Sequence, residues 1–159
     1  MPRPRIDELL RILHLAFEGS AHALLDNLAT VTEEEWNALP KGGRRSIRTM
    51  TLHVGLFKYI YANHGFRDAS MAYADPPATP PNDRLTKPES ATTWLREAHA
   101  YLIEAIDELP DDAELEQPRK AHWGEMVPTH FLIDTLYEHD LYHAGEINKT
   151  RALLQDDDK

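Results

Sequence analysis

Two histidines lie four positions apart in a segment whose apolar residues repeat with the period of a helix. Residues 136–147 read LYEHDLYHAGEI, and His139 and His143 fall on one face of a helix formed by this segment. The same face carries the apolar residues Leu132, Leu136, Ile147 and Leu154. Both imidazoles should therefore point toward a core, where each ring has two nitrogens that need partners. This arrangement predicts a metal ion, which would satisfy one nitrogen on each ring.

Composition predicts a single domain and excludes several classes of function. With 159 residues, of which 42% are apolar, the whole chain 1–159 is expected to form one domain. The formal net charge of −10 argues against nucleic acid or an anionic membrane as a partner. No segment has the apolar length of a secretion signal or a membrane span, so we expect a cytoplasmic protein. Cysteine is absent, which excludes thiolate ligands and a cysteine nucleophile, so any thiol chemistry would need a thiol from outside.

Four amphipathic segments predict an all-α fold, a four-helix bundle. The predicted helices cover residues 6–28, 47–63, 91–109 and 129–154. Ser46 and Ser90 are the expected N-caps of the second and third helices, and Thr32 opens a capping box for a short helix after the first. The proline-rich stretch 66–88 is predicted to be a long crossover between the second and third helices.

His53 is the candidate for a third metal ligand. It lies at the margin of the apolar stripe of the second predicted helix, beside Met50 and Phe57. A lone histidine at such a margin is more often a satisfied boundary residue. Facing His139 and His143 inside a bundle, however, it would complete a set of three neutral imidazoles, which Zn²⁺, Ni²⁺ and Fe²⁺ all accept.

Other histidines are weaker candidates. We expect His14 to belong to a surface row, with a position in a cavity near the metal as the alternative, and His99 to be a surface residue. His122 and Trp123 could form the rim of a pocket, although a packed tryptophan beside an exposed histidine is the more ordinary interpretation. A turn at Trp123-Gly124 could form a short hairpin.

Two well-known metal-site classes do not fit the sequence. Metalloproteases with two histidines on one helix need a glutamate directly after the first, and here that position is Asp140. Di-iron carboxylate bundles need paired Glu-x-x-His motifs and further buried glutamates, which the predicted buried positions do not offer. A site with three histidines is still compatible with the sequence, as is a bundle without a metal.

The sequence resembles the DinB/YfiT-like family of metal-dependent four-helix-bundle proteins. The resemblance rests on the segment 46–53 (SIRTMTLH), the proline-rich crossover, and the approach from Gly124 to the segment 138–147 (EHDLYHAGEI). It implies that His53, His139 and His143 are the metal ligands and that the protein is a homodimer. The family's characterised enzymes include transferases and isomerases that use low-molecular-weight thiols, namely bacillithiol, mycothiol and glutathione.

Two functional hypotheses follow from these observations. The first is an enzyme in which a divalent metal (Zn, Ni or Fe) activates a nucleophile for a small-molecule substrate, either in a thiol S-transferase or in a hydrolase or isomerase. The second is a metal-binding or interaction protein without catalysis. Glu146 could hydrogen-bond the second nitrogen of a ligand histidine, or it could be a solvated residue at the helix edge, and Tyr142 and Asp140 have the same two interpretations.

Overall fold

The computed structural model describes residues 2–155, and this part of the chain is mostly α-helical. Six α-helices occur in it: α1 (Pro4–Phe17), α2 (Leu24–Leu28), α3 (Glu33–Asn37), α4 (Ile47–Phe66), α5 (Pro88–Asp107) and α6 (Thr129–Leu154). The four long helices are α1, α4, α5 and α6. Helix α4 packs against α5 and α6, and α1 packs against α6 and α5, which confirms the predicted bundle.

The prediction of one continuous helix over residues 6–28 is wrong, because this part of the chain forms two helices, α1 and α2, with a turn between them. After Phe17 the backbone becomes extended at Glu18 and then reverses at Gly19, whose φ of +95° suits a residue without a side chain. The carboxylate of Asp26 accepts a hydrogen bond from the Gly19 N–H at 2.8 Å and so stabilises the turn. Leu24 and Leu28 continue the apolar spacing but belong to α2, which packs against α6.

The ends of the other helices follow the predicted signals in part. Ser46 caps α4 by accepting a hydrogen bond from the Thr49 N–H, and Thr32 forms its capping box with Glu35. Helix α4 runs past the predicted end to Phe66, with Gly65 inside it rather than after it. Ser90 is not the cap of α5: this helix begins at Pro88, whose fixed φ suits the first helical position.

The connection between α4 and α5 is the predicted long crossover. It contains a 3-10 helix (Asn82–Leu85), and its proline-rich part includes a cis bond between Pro76 and Pro77. Between α5 and α6 lie a second 3-10 helix (Asp112–Glu116) and a hairpin of β1 (Pro118–Lys120) and β2 (Met126–Pro128). The two strands are antiparallel, and Arg119 pairs with Val127. Gly124 has a positive φ in the turn between them, and the hairpin agrees with the turn expected at Trp123-Gly124.

The core consists of apolar side chains from the four long helices and from the short helices α2 and α3. Its largest fully buried side chains include Trp36, Trp94, Ile60 and Leu102. Lys58 and Asp140 are equally buried and lie among these apolar residues. None of the helices within residues 2–155 combines the length and the apolar content that a membrane span requires.

Candidate metal centre

The structure brings His53 of α4 together with His139 and His143 of α6. The Nε2 atoms of His53 and His139 are 3.1 Å apart, and one ring nitrogen from each of the three histidines lies within 4.8 Å of the others. The rings of His139 and His143 meet edge to face with centroids 4.4 Å apart, because residues four apart stack on one side of a helix. His143 is buried, whereas His53 and His139 are half-buried.

The surroundings of the three histidines favour their neutral forms. Burial lowers the pKa of His53 to about 4 and that of His139 to about 3, and the neighbouring histidines add to both shifts. Burial also lowers the pKa of His143, although the hydrogen bond to Glu146 opposes this shift. At neutral pH all three rings therefore keep a lone pair available, which is the form that binds a metal.

Glu146 contacts the triad directly. Its Oε2 accepts a hydrogen bond from Nδ1 of His143 at 2.7 Å, which leaves Nε2 of that ring for a ligand. Arg45, just before α4, binds the other oxygen of Glu146 at 3.1 Å. The interpretation of Glu146 as a partner of a ligand histidine therefore agrees with its geometry, and the alternative of a solvated edge residue does not.

A second ion pair lies behind the triad, in the core. Nζ of Lys58 is 2.6 Å from Oδ2 of Asp140, and neither side chain is more than 1% exposed. Burial lowers the pKa of Lys58 and raises that of Asp140, while their mutual attraction opposes both shifts. Asp140 is therefore a core residue paired with α4. The sequence did not indicate Lys58 as a residue near the site, since lysine side chains usually lie at the protein surface.

The prediction that His99 is a surface residue is wrong. His99 is 6% exposed; its ring stacks on Phe17 at 3.8 Å, and its Nδ1 lies 3.3 Å from Nζ of Lys58. Phe17 at the end of α1 covers this edge of α5, and this contact between two helices is not indicated by the local sequence around His99. His14, in contrast, is exposed, in agreement with its expected place on the surface, and it lines a groove with Glu18 and Arg96.

An aromatic cluster borders the triad on the side of the crossover and the hairpin. Its centre is Phe57, whose ring lies 4.6 Å from that of His53 and 5.2 Å from that of His122. His122 also hydrogen-bonds the Tyr73 hydroxyl through Nδ1 at 2.7 Å, which links the hairpin to the crossover. Trp123 is 40% exposed while His122 is half-buried, so the expected packed tryptophan and exposed histidine are reversed. His122 meets the aromatic cluster through Phe57, and Trp123 meets Tyr61 and His122, so the position of Trp123 at the rim of a pocket stays a prediction.

The three histidines fit a divalent metal. Tetrahedral coordination by nitrogens at 2.0–2.1 Å places the ligand atoms roughly 3.4 Å apart, and the 3.1 Å between the Nε2 atoms of His53 and His139 is close to this value. The ring nitrogen of His143 lies within 4.8 Å of the other two. Three neutral donors leave at least one coordination position for another molecule, as in catalytic rather than structural sites.

Comparison with known proteins gives one result that agrees with this geometry. The sequence model of the DinB superfamily matches residues 16–147, a range that contains all three histidines together with Lys58, Asp140 and Glu146. No curated protein matches the chain significantly.

Proposed function

Because the chain belongs to the DinB superfamily, we propose that it is a divalent-metal-dependent enzyme with His53, His139 and His143 as the metal ligands. The observation that carries this proposal is the convergence of three neutral imidazoles from two helices within 4.8 Å. Zn²⁺, Ni²⁺ and Fe²⁺ all accept such a ligand set. A metal held there supplies a Lewis acid that lowers the pKa of a coordinated thiol or water.

The charges around the triad favour an anionic nucleophile. The charged side chains that shift the pKa values of the three histidines are Arg45, Glu146, Lys58 and Asp140, which form two ion pairs. Each pair is neutral as a whole, so the charge of a bound dication is not cancelled by the protein. A dication held by the three histidines would therefore attract an anion such as a thiolate.

We propose a low-molecular-weight thiol as cosubstrate and a small electrophilic molecule as substrate. The chain has no cysteine that could supply the thiol itself. The role of the protein is then to hold the histidines neutral, to orient His143 through Glu146, and to limit access of water with the aromatic cluster around Phe57. A hydrolase or isomerase would use the same centre with water or the substrate in place of the thiol.

A metal-binding assay tests the ligand assignment. Protein stripped with a chelator should bind one equivalent of Zn²⁺ or Ni²⁺, and His139→Ala should lose most of this binding. His130→Ala is the matched control, because His130 lies on the same helix but pairs with Glu116 and Asp134 at the surface. Equal metal content in the wild type and His139→Ala would refute the assignment.

A turnover assay tests the reaction. Protein loaded with each metal is mixed with a chromogenic electrophile and with glutathione, bacillithiol or mycothiol in turn. Turnover that requires both the metal and a thiol would support the transferase, and turnover without a thiol would favour the hydrolase or isomerase. No turnover by fully loaded protein with any of the three thiols would contradict the transferase.

The assembly that we propose is a homodimer. Leu15 of α1 and Leu141 of α6 are about 40% exposed and line the same apolar groove, which we propose as part of the dimer interface. Light scattering coupled to size exclusion should give twice the mass of the 18.2 kDa chain. Leu141→Asp should shift the equilibrium toward the monomer.

A further inference from the structure

One residue from each of the four long helices meets at a single point in the core. Lys58 of α4 pairs with Asp140 of α6 at 2.6 Å, and its Nζ lies 3.3 Å from Nδ1 of His99 of α5. The ring of Phe17, at the end of α1, stacks on His99 and lies 5.0 Å from the Lys58 ammonium. All four side chains are at least 94% buried.

The buried polar groups of Lys58, Asp140 and His99 are not arranged in the way that would give the greatest stability. Oδ1 of Asp140 and Nε2 of His99 are buried and have no hydrogen-bond partner among the described residues. Buried groups without partners cost free energy, and apolar residues in place of a buried ion pair are often neutral or stabilising. A contribution to stability therefore does not explain why Lys58 and Asp140 occupy the centre of the bundle.

The location of the ion pair suggests a different role. Asp140 directly follows His139 on α6, and Lys58 lies five residues after His53 on α4. Two polar contacts thus join the same two helices at neighbouring levels: His53 to His139, and Lys58 to Asp140. Apolar contacts tolerate small shifts of one helix along another, whereas a buried ion pair is satisfied in only one alignment.

We propose that the Lys58–Asp140 ion pair positions the candidate metal centre by fixing the alignment of α4 and α6, so that His53 meets His139. The proposal rests on the proposed function insofar as the three histidines bind a metal. Lys58 and Asp140 are positioning residues here: they act through the histidines and contact neither metal nor substrate. His99 and Phe17 hold the Lys58 ammonium in place from the other two helices.

The test replaces the pair with apolar residues and measures alignment and metal affinity separately. In Lys58→Met/Asp140→Leu no buried charge remains unpaired, so we expect the bundle to fold with a melting temperature near that of the wild type. Metal affinity should nevertheless fall at least tenfold in a Zn²⁺ competition titration. The matched control is Leu102→Ala, a cavity in α5 that weakens the core but keeps the pair; once folded, it should bind Zn²⁺ as the wild type does.

Spin labels report the helix alignment without any metal. The chain has no cysteine, so Thr49→Cys on α4 and Glu138→Cys on α6, both exposed, can be labelled specifically. Pulsed dipolar spectroscopy of metal-free protein should give a narrow distance distribution with the pair present and a shifted or broader one in Lys58→Met/Asp140→Leu. An unchanged distribution together with wild-type Zn²⁺ affinity would overturn the proposal.

A second variant covers the case in which the apolar replacement does not fold. Asp140→Glu keeps both charges but lengthens the acid by one methylene, so it should change the alignment while the ion pair remains. We expect a melting temperature within a few degrees of the wild type and a Zn²⁺ affinity lowered at least threefold; wild-type affinity would contradict a positioning role. If the wild type itself binds no Zn²⁺, the proposed function fails, while the spin-label comparison still decides the role of the pair.

Discussion

Glu146 and His143 lie one turn apart on α6, and the Glu146 carboxylate accepts a hydrogen bond from Nδ1 of His143 at 2.7 Å. A carboxylate can only accept, so this contact fixes the tautomer in which Nε2 carries the free lone pair. Arg45, which lies just before the N-cap of α4, binds the other Glu146 oxygen. The orientation of one candidate ligand therefore depends on a chain of contacts that again joins α4 to α6.

Removing the Glu146 carboxylate should weaken metal binding without removing a ligand. Partners of this kind are worth about 10- to 100-fold in metal affinity, so we expect a loss in this range for Glu146→Ala. Glu146→Gln should lose less, because the amide oxygen can still accept the hydrogen bond from Nδ1. Zn²⁺ competition titrations measure the affinities of both variants. The control is Glu138→Ala, which removes an exposed glutamate from the same helix. A Glu146→Ala protein with wild-type affinity would show that the contact does not orient the ring.

Metal binding should resist acid better than binding by ordinary histidines. The pKa values of about 4 for His53 and about 3 for His139 mean that protons compete for these rings only near those pH values. We expect Zn²⁺ affinity to change little between pH 7.5 and pH 5.5 and to fall steeply below pH 4. Three histidines with the ordinary pKa of about 6.5 would lose roughly a thousandfold in affinity by pH 5.5. A hexahistidine peptide titrated in the same buffers gives that reference, and a parallel decline in the protein would refute the prediction.

The sequence was sufficient to predict the features that depend on local patterns. The His-x-x-x-His spacing on an uninterrupted apolar stripe predicted that His139 and His143 share one inward face, and α6 has the predicted bounds of residues 129–154. Ser46 and Thr32 accept hydrogen bonds from N–H groups in the first turns of their helices, as predicted, whereas Ser90 lies inside α5 because that helix begins at Pro88. The proline-rich stretch could form little other than a crossover.

The features that depend on tertiary packing were not predictable. Residues 6–28 keep a helical spacing of apolar side chains through the turn at Gly19, so the pattern hides the break between α1 and α2. Helix α4 continues past its predicted end at residue 63 to Phe66, and at Gly65, in its last turn, a Cβ atom would be 3.1 Å from the Leu132 side chain. The burial of Lys58 and His99 follows from partners on other helices, and no local pattern indicates those partners.

The stability of the fold should fall in acid partly because of His99. Burial lowers the pKa of His99 to about 2, and the nearby Lys58 cation adds to the shift, whereas the unfolded chain titrates near 6.5. The contribution of neutral His99 to the free energy of unfolding is therefore fully present above pH 6.5. Below pH 6.5 the unfolded state takes up a proton at this histidine, and about 1.4 kcal/mol of the unfolding free energy is lost for each pH unit. The His99→Phe variant can still stack on Phe17 but has no imidazole at this position, so it should lack this part of the acid-dependent loss of stability.

Urea unfolding of the wild type and His99→Phe at pH values from 7.5 to 5 measures the effect of His99. We expect the difference in unfolding free energy between the two proteins to change by about 1.4 kcal/mol per pH unit below pH 6.5 and to stay constant above it. The exposed His22→Ala is the control for a histidine outside the core. Parallel curves for the wild type and His99→Phe would contradict the prediction.

A methyl group at Gly55 should push α4 away from α5. A Cβ atom there would lie 2.4 Å from two ring carbons of Trp94, which is fully buried and cannot move aside. Overpacking of this kind costs about 1–3 kcal/mol, against a gain of up to about 1 kcal/mol from the better helix propensity of alanine. We therefore expect Gly55→Ala to lower the unfolding free energy in urea, and because His53 is two residues away, to weaken Zn²⁺ binding as well. Gly145→Ala is the matched control: Gly145 is also inside a long helix, but beyond its own helical turns no atom of residues 2–155 lies within 4 Å of its added Cβ, so this change should stabilise the protein by roughly 0.5–1 kcal/mol. If the two variants were equally stable, the close approach of α4 to α5 at Trp94 would not be needed for the fold.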